Sequence, residues 1–271
     1  MPNKTIGIVG LDYCGSTLLN YVWDGLPGVF GAGETHWVVD EPETNCRQCN
    51  RPRCVIWKPE IRVYSQQNVD NGTWWETLRE MAKADLIISS DKKAQHYEAF
   101  GVPDRLIFSY KDPRAHIFSR AAVRMGKSDA AVDIEIPDNV LDEAITWWVD
   151  ETTQVLEWLM QGASEFKVIK LEEFVDDPEG QLQDFCNWAG VKYDKTALQF
   201  WRKRHHYIGG NHALSRLKRS YYFFRKIRKD ERWKDSFTDE QVKRIADAED
   251  VQIVEKQLVQ LLKEHTLKKL A

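Results

Sequence analysis

Short apolar runs alternate with longer amphipathic stretches along the chain, and this alternation predicts its secondary structure. The apolar runs predict buried strands at residues 5–9, 84–89, 105–110 and 166–169. The amphipathic stretches predict helices at residues 16–26, 114–124, 140–160, 178–190 and 238–270. Strands that alternate with helices are typical of the α/β class, so we expect a central, mainly parallel sheet flanked by helices.

Residues 31–83 follow neither period and hold prolines, cysteines and several tryptophans. We interpret this stretch as a loop-rich insert between the first helix and the next strand. The C-terminal part is predicted to be helical, and Thr238 and Gln241 have the spacing of a capping box at its start. A chain of 271 residues with 42% hydrophobic content suits one domain, which we assign to residues 1–271.

Charge is distributed unevenly along the chain. The formal net charge is -4, yet residues 202–234 hold twelve lysine or arginine residues against two acidic ones. A basic segment inside an otherwise acidic chain indicates an anionic ligand or partner, with a solvated helix face as the alternative.

No uninterrupted apolar run reaches the length needed to span a membrane. The first four residues lead directly into the first predicted strand. We therefore expect a cytoplasmic protein without a membrane partner.

A glycine-bearing turn joins the first strand to the first helix. Gly10, Gly15 and Thr17 fit the phosphate-binding pattern G-x-x-x-x-G-K-[ST]. Ser16 stands where that pattern has the lysine that reaches a terminal phosphate. The turn therefore predicts an anion cradle without a triphosphate clamp, and an ordinary glycine turn is the alternative.

Further polar residues follow other predicted elements. Lys111 and Ser119 lie eight residues apart around a helix start, and a strand-end cation, a hydroxyl and a helix N-terminus suit a phosphate dianion. Glu34 and His36 follow the first helix, and either side chain can take a proton near neutral pH. Lys92 follows shortly after the apolar run at residues 84–89.

Together these segments resemble the sulfotransferases that use 3'-phosphoadenosine 5'-phosphosulfate (PAPS), in the style of the protein-tyrosine and bacterial small-molecule or carbohydrate enzymes. The loop Tyr13-Cys14-Gly15-Ser16-Thr17 is similar to the family's [RK]-S-G-[ST]-T, which also lacks the lysine. The other matching segments are Lys111-Asp112-Pro113-Arg114-Ala115 with Ser119, Gly33-Glu34, Ser89-Ser90-Asp91-Lys92 and Gly209-Gly210-Asn211.

The resemblance implies a P-loop-like fold and transfer of a sulfuryl group from PAPS to a hydroxyl of a small-molecule, carbohydrate or peptide acceptor, without a required metal. It implies Glu34 as the general base, with His36 as the alternative, and Lys92 as the cation near the transferring group. That cation would replace the basic residue the family usually has at Tyr13. Residues 31–83 would lie on the acceptor side, and residues 202–234 would form a basic lid. The implied cofactor-binding residues are Tyr13, Cys14, Gly15, Ser16, Thr17, Leu18, Lys111, Ser119, Gly210, Asn211 and Arg216.

Three of the five cysteines form the run Cys46, Cys49 and Cys54. Three thiolates need a fourth metal ligand, and the closest upstream imidazole belongs to His36, while a second C-x-x-C pair is missing. We therefore interpret the run as reduced thiols or a local disulfide, with a metal site as the alternative.

Two other functions are compatible with parts of the sequence. A nucleotide kinase or NTPase with a phosphate loop would need a lysine at position 16 and an acidic strand end for Mg²⁺. A nucleic-acid binding module would use the basic segment with its neighbouring aromatic residues. The second idea explains neither the glycine loop nor the spacing from Lys111 to Ser119, so we expect no nucleic-acid partner.

Overall fold

The computed structural model describes residues 4–40, 46, 54–58, 65–127, 132–162, 164–210 and 227–268. The strands in these ranges are β1 (Thr5–Val9), β2 (Val29–Gly33), β3 (Leu86–Lys92), β4 (Arg105–Tyr110) and β5 (Glu165–Lys170). All of them pair in parallel, in the order β2-β3-β1-β4-β5. The predicted α/β class and parallel central sheet are therefore confirmed.

Helices connect the strands and cover both faces of the sheet. In chain order they are α1 (Ser16–Asp24), α2 (His36–Asp40), α3 (Ser65–Asp70), α4 (Trp74–Ala82), α5 (Ala94–Phe100), α6 (Pro113–Arg124), α7 (Asp138–Met160), α8 (Leu171–Asp176), α9 (Pro178–Ala189), α10 (Asp239–Asp247) and α11 (Glu249–Lys268). Short 3-10 helices cover Lys195–Arg202 and Arg232–Asp235.

The strands bury side chains on both faces, as parallel strands between helices do. Leu106 and Phe108 of β4 pack in a core shared with α6, α7, α10 and α11, while Ile107 packs in a second core with α1 and α9. A third core joins β2 to tryptophans from residues 54–82, including Trp57 and Trp74. Central β1 has β3 on one side and β4 on the other. Successive strands are added on one side of β1 and then on the other, so the strand order reverses at β1. Ligands of open α/β sheets bind at the carboxyl ends of the strands at such a point.

Strand β2 lies where the sequence predicted the start of a loop-rich insert. Its residues, Val29-Phe30-Gly31-Ala32-Gly33, lack the apolar run that marks the other strands. Gly31 allows α1 to approach the strand closely, because a Cβ at this position would overlap with the Asn20 side chain. The Gly31 amide also donates to Asp24 Oδ1 at 2.8 Å. Tertiary packing therefore makes this glycine-rich segment a strand.

The C-terminal part contains the predicted capping box, but its helix is interrupted. The Gln241 amide donates to Thr238 Oγ1 at 3.2 Å, and the Thr238 amide donates to Gln241 Oε1 at 3.3 Å. Ala248 then adopts extended backbone angles, so that α10 and α11 replace the single helix expected over residues 238–270. Val251, Val254 and Leu258 of α11 are buried in the core that contains α7. We attribute the break at Ala248 to this packing, because the sequence has no glycine or proline there.

Within the described ranges, no helix is both long enough and apolar enough to cross a bilayer.

Replacement of Thr238 tests the capping box. Thr238→Ala removes the side chain that accepts the Gln241 amide, and N-cap losses of this kind destabilise proteins by about 1 kcal/mol. We expect the urea midpoint of unfolding to fall accordingly. Thr238→Ser keeps the hydroxyl and should unfold close to wild type; equal loss in both variants would contradict the role of the cap.

Candidate functional site

The turn between β1 and α1 has the geometry of an anion cradle. Gly15 is the N-cap of α1 and has φ 90°, a left-handed conformation that suits glycine. It offers no side chain to the amides of the first helical turn, at Ser16, Thr17 and Leu18. Helix N-termini of this kind stabilise bound anions through their amides and dipole.

Two other loop residues have local features that the motif alone does not show. Tyr13 adopts φ 71°, which is uncommon for a residue with a large side chain. The Cys14 thiol is fully buried, and this burial raises its pKa above the ordinary value. Cys14 is therefore a neutral packing residue at neutral pH, and it does not add a negative charge to the loop.

A buried ammonium lies beside this loop. Lys92, with φ 63° at the end of β3, places Nζ 2.8 Å from Glu34 Oε1 and 2.8 Å from Asp12 Oδ1. Burial disfavours the charged form, but the two carboxylates outweigh it and raise the pKa of Lys92 above its ordinary value. The structure thus brings Glu34 and Lys92 together beside the phosphate loop. Asp12, which the sequence analysis missed, lies between the two loop glycines without a recognisable motif of its own.

Glu34 is enclosed by a segment distant in sequence. Its Oε2 accepts a hydrogen bond from Trp37 Nε1 at 3.0 Å, and its amide donates to the Ile208 carbonyl at 2.9 Å. A Cβ on Gly209 would lie 2.8 Å from Glu34 Oε2. Gly210 lies over the phosphate loop, since a Cβ there would be 3.0 Å from Thr17 Oγ1. Residues 207–210 therefore cover both the carboxylate and the loop.

The side chain of His36 contacts a different set of residues. Its Nδ1 lies 2.9 Å from Asp91 Oδ1, and its backbone amide donates to the same oxygen at 2.8 Å. The ring stacks on His96 with the centroids 4.0 Å apart. Thr35 Oγ1 donates to the other oxygen of Asp91 at 2.8 Å, so Asp91 fixes this whole turn beside Lys92.

A second cationic centre lies at the end of β4. Lys111 Nζ donates to Ser119 Oγ at 3.0 Å, and Arg232 Nη2 donates to the same oxygen at 3.1 Å. The carboxylate of Asp230 is bound between the two cations, 2.7 Å from Lys111 Nζ and 2.7 Å from Arg232 Nη2. The predicted pair Lys111 and Ser119 is thus in contact. Arg232 and Asp230 were known only as members of the basic segment, because side-chain contacts across 111 residues leave no local signal.

Burial and the neighbouring charges act in opposite directions on the ionisable groups of this centre. Burial lowers the pKa of Lys111 below its ordinary value, although Asp230 opposes this. Burial raises the pKa of Asp230, but Arg232 and Lys111 outweigh it and hold this pKa well below its usual range. An internal carboxylate therefore occupies a centre with two cations and a hydroxyl.

His116 on α6 links the two centres. Its Nε2 lies 2.6 Å from the Asp12 carbonyl. A carbonyl can only accept a hydrogen bond, so Nε2 carries the proton. Ser119 lies one turn further along the same helix. Burial and the Lys111 charge lower the pKa of His116 to about 3. Nδ1 is therefore a bare acceptor, and it has no hydrogen-bond partner among the described residues. The sequence analysis did not single out this residue.

Several predicted residues do not join these centres. Asn211, Arg216 and Cys49 lie outside the described residues. Cys46 and Cys54 lie next to His206, whereas the sequence suggested His36 as the nearest imidazole. Together, those three residues are the candidate metal ligands within the described part of the chain.

Comparison with known proteins relates this geometry to one fold. No family model matches the chain, and no curated protein matches it. The sulfotransferase domain from the Synechococcus PCC 7002 olefin synthase superposes with a TM-score of 0.59 and 19% identity, over 90% of this chain and 94% of that one. The sulfotransferase domain from the curacin biosynthetic pathway gives 0.57 and 17%, over 91% and 96%. The chain therefore has the sulfotransferase fold.

Proposed function

We propose that this protein transfers a sulfuryl group from PAPS to a hydroxyl of a small-molecule, carbohydrate or peptide acceptor and releases adenosine 3',5'-bisphosphate (PAP). The observation that carries this proposal is the pair of centres at neighbouring strand ends, one at the β1 loop and one at Lys111, Ser119 and Arg232. PAPS carries anionic groups at both its 5' and 3' positions. The carboxylate of Asp230 supports the proposal, because it lies between Lys111 and Arg232, where the 3'-phosphate would bind.

The residues suggest a division of roles around the 5' end. The first-turn amides of α1 would bind the 5'-phosphosulfate, and Lys92 would stabilise the charge that develops on the leaving oxygen. Glu34 would take the acceptor's proton while the acceptor oxygen forms a bond to sulfur. The bond from sulfur to the 5'-phosphate oxygen breaks in the same step, so PAP leaves and a sulfate ester forms. No bound metal is needed for this balance.

The ion pair between Lys92 and Glu34 suggests how the base is controlled. At 2.8 Å from the ammonium, the Glu34 carboxylate is partly neutralised in the structure. Anionic phosphosulfate would compete for Lys92 and leave Glu34 free to accept a proton. Proton removal would thus depend on prior cofactor binding.

The two alternative functions have less support. A kinase or NTPase with a phosphate loop would need a lysine at position 16, and this chain has Ser16 there. For a nucleic-acid module, several cations of the basic segment are already held by acidic residues: Lys203 by Asp24 and Lys229 by Asp176. Paired charges contribute less to phosphate binding, because the partner acid must first be displaced.

Nucleotide binding is the first test. Calorimetric titration should show PAP binding more tightly than adenosine 5'-monophosphate, with ATP as the comparison ligand. Lys111→Ala and Ser119→Ala should each weaken PAP, by about 10- to 100-fold for the charged lysine. They should barely change binding of the monophosphate, which lacks the 3' group.

Lys229→Ala is the matched control, because this lysine is in the same basic segment but contacts Asp176 at the surface. It should bind PAP like wild type. A preference for ATP, or equal losses for both nucleotides in Lys111→Ala, would overturn the assignment of the 3' centre.

Asp230 gives a second test of the same centre. Its carboxylate occupies Lys111 and Arg232, so Asp230→Asn should free them and raise PAP affinity by roughly 5- to 10-fold. Glu231→Gln is the control, since the neighbouring Glu231 pairs with Lys234 at the surface. A fall in PAP affinity for Asp230→Asn would show that the acid positions Arg232 instead of competing with the nucleotide.

The base is tested by transfer from radiolabelled PAPS to a panel of phenol, sugar and peptide hydroxyls, with sulfate release to water as the background reaction. Glu34→Gln should lower the transfer rate about 10²- to 10⁴-fold while PAP affinity stays within a few-fold of wild type. His36→Asn is measured in parallel, because its Nδ1 is held by Asp91 and it should retain most activity. The opposite ranking would assign proton removal to His36.

A further inference from the structure

Two cysteines and a histidine from distant parts of the chain converge beside the cover of Glu34. Cys46 Sγ, Cys54 Sγ and a ring nitrogen of His206 all lie within 4.8 Å of one another. The distance from Cys54 Sγ to His206 Nδ1 is 3.2 Å. Both cysteine side chains are buried, and His206 is half-buried.

The spacing of these atoms suits a tetrahedral metal ion. Zinc binds sulfur at about 2.3 Å and imidazole nitrogen at about 2.0–2.1 Å, so ligand atoms around one zinc ion lie roughly 3.5–3.8 Å apart. Thiolates with imidazole are the ligand set that zinc prefers, whereas magnesium and calcium prefer oxygen ligands. The cluster therefore has both the chemistry and the size of a zinc site.

The chemical state of the two sulfurs also suits metal binding. Thiolates are the metal-binding form of cysteine. The described cysteines, Cys46 and Cys54 among them, are reduced, so a disulfide does not use up these sulfurs.

The cluster joins the segment around Cys54 to the segment around His206. The Trp57 indole donates to the His206 carbonyl at 2.6 Å, and Ile208, two residues on, pairs with β2 at Gly33. His206 directly precedes residues 207–210, which cover Glu34 and the phosphate loop. A metal at His206 would thus anchor this cover to the segment around Cys54.

We propose that Cys46, Cys54 and His206 supply three of the four ligands of a zinc ion, the fourth being unassigned, and that this ion fastens the segment carrying Cys54 to the segment that covers Glu34. This extends the sequence interpretation, which favoured reduced thiols or a disulfide and lacked the histidine. Cys49 lies outside the described residues and is not counted in the site. The inference concerns metal content, so it stands or falls independently of the proposed sulfuryl transfer.

The test measures zinc in the full chain, expressed in zinc-containing medium and purified under reducing conditions with any histidine tag removed. Elemental analysis should find about one zinc per wild-type chain. Cys46→Ala, Cys54→Ala and His206→Ala should each lose at least half of it. Cys186→Ala is the control, because Cys186 is also a buried reduced thiol but lies in α9, and it should retain the metal.

A second measurement keeps the test decisive if the alanine variants fold poorly. Cobalt(II) added to metal-stripped wild type should give the thiolate charge-transfer and visible bands of a tetrahedral site, and zinc should displace it. Zinc removal should also lower the melting temperature of wild type, as loss of a bound ligand does. Absence of zinc and of cobalt bands in wild type, a Cys46–Cys54 disulfide in the purified chain, or zinc retained in all three variants would overturn the proposal.

Discussion

The candidate site depends on the ion pairs that the buried ammonium of Lys92 forms with two carboxylates. These carboxylates come from different connections of the sheet: Asp12 from the loop after β1 and Glu34 from the turn after β2. Parallel pairing places Lys92 beside Val9, at the point where the phosphate loop begins. A buried cation with one partner removed is costly, so the three groups hold one another in position. The charges of Asp12, Glu34 and Lys92 therefore balance within a single cluster.

The second centre also contains a buried cation, and its counter-ion is a carboxylate of the protein itself. Lys111, Ser119 and Arg232 would form a costly group of buried donors without a negative partner, and Asp230 supplies one. The proposed nucleotide phosphate would take the place of that carboxylate. Such an arrangement stabilises the ligand-free protein and reduces affinity for any ligand that cannot displace the acid.

The segment from His205 to Gly210 joins the cores to the candidate site. His205 is fully buried, with Nδ1 2.6 Å from Asp24 Oδ2 and Nε2 2.6 Å from the Phe200 carbonyl. Its neighbour His206 contacts Cys54, and Ile208 pairs with the edge of the sheet. Each contact holds this segment at a different point along its length. These contacts hold the backbone of Gly209, which has no side chain, against the Glu34 carboxylate.

Local sequence determined the elements whose signals are short in range. The apolar runs of β1, β4 and β5, Pro113 and Pro178 at helix starts, and the capping box at Thr238 all act within a few residues, and the structure has them where they were predicted. The glycine loop and Lys111 also lie next to helix starts, as the sequence predicted.

Tertiary structure alone decided the remaining features, because they depend on contacts between residues far apart in the chain. Strand β2 forms because Gly31 lets α1 approach, not because of an apolar pattern. Asp230, Arg232 and His116 join the site only through folding of helices and loops onto the strand ends. His206, 152 residues from Cys54, completes a thiol cluster for which the sequence had suggested His36. The sequence by itself thus determined the class of fold and the glycine turn between β1 and α1, whereas long-range packing determined which residues neutralise each buried charge.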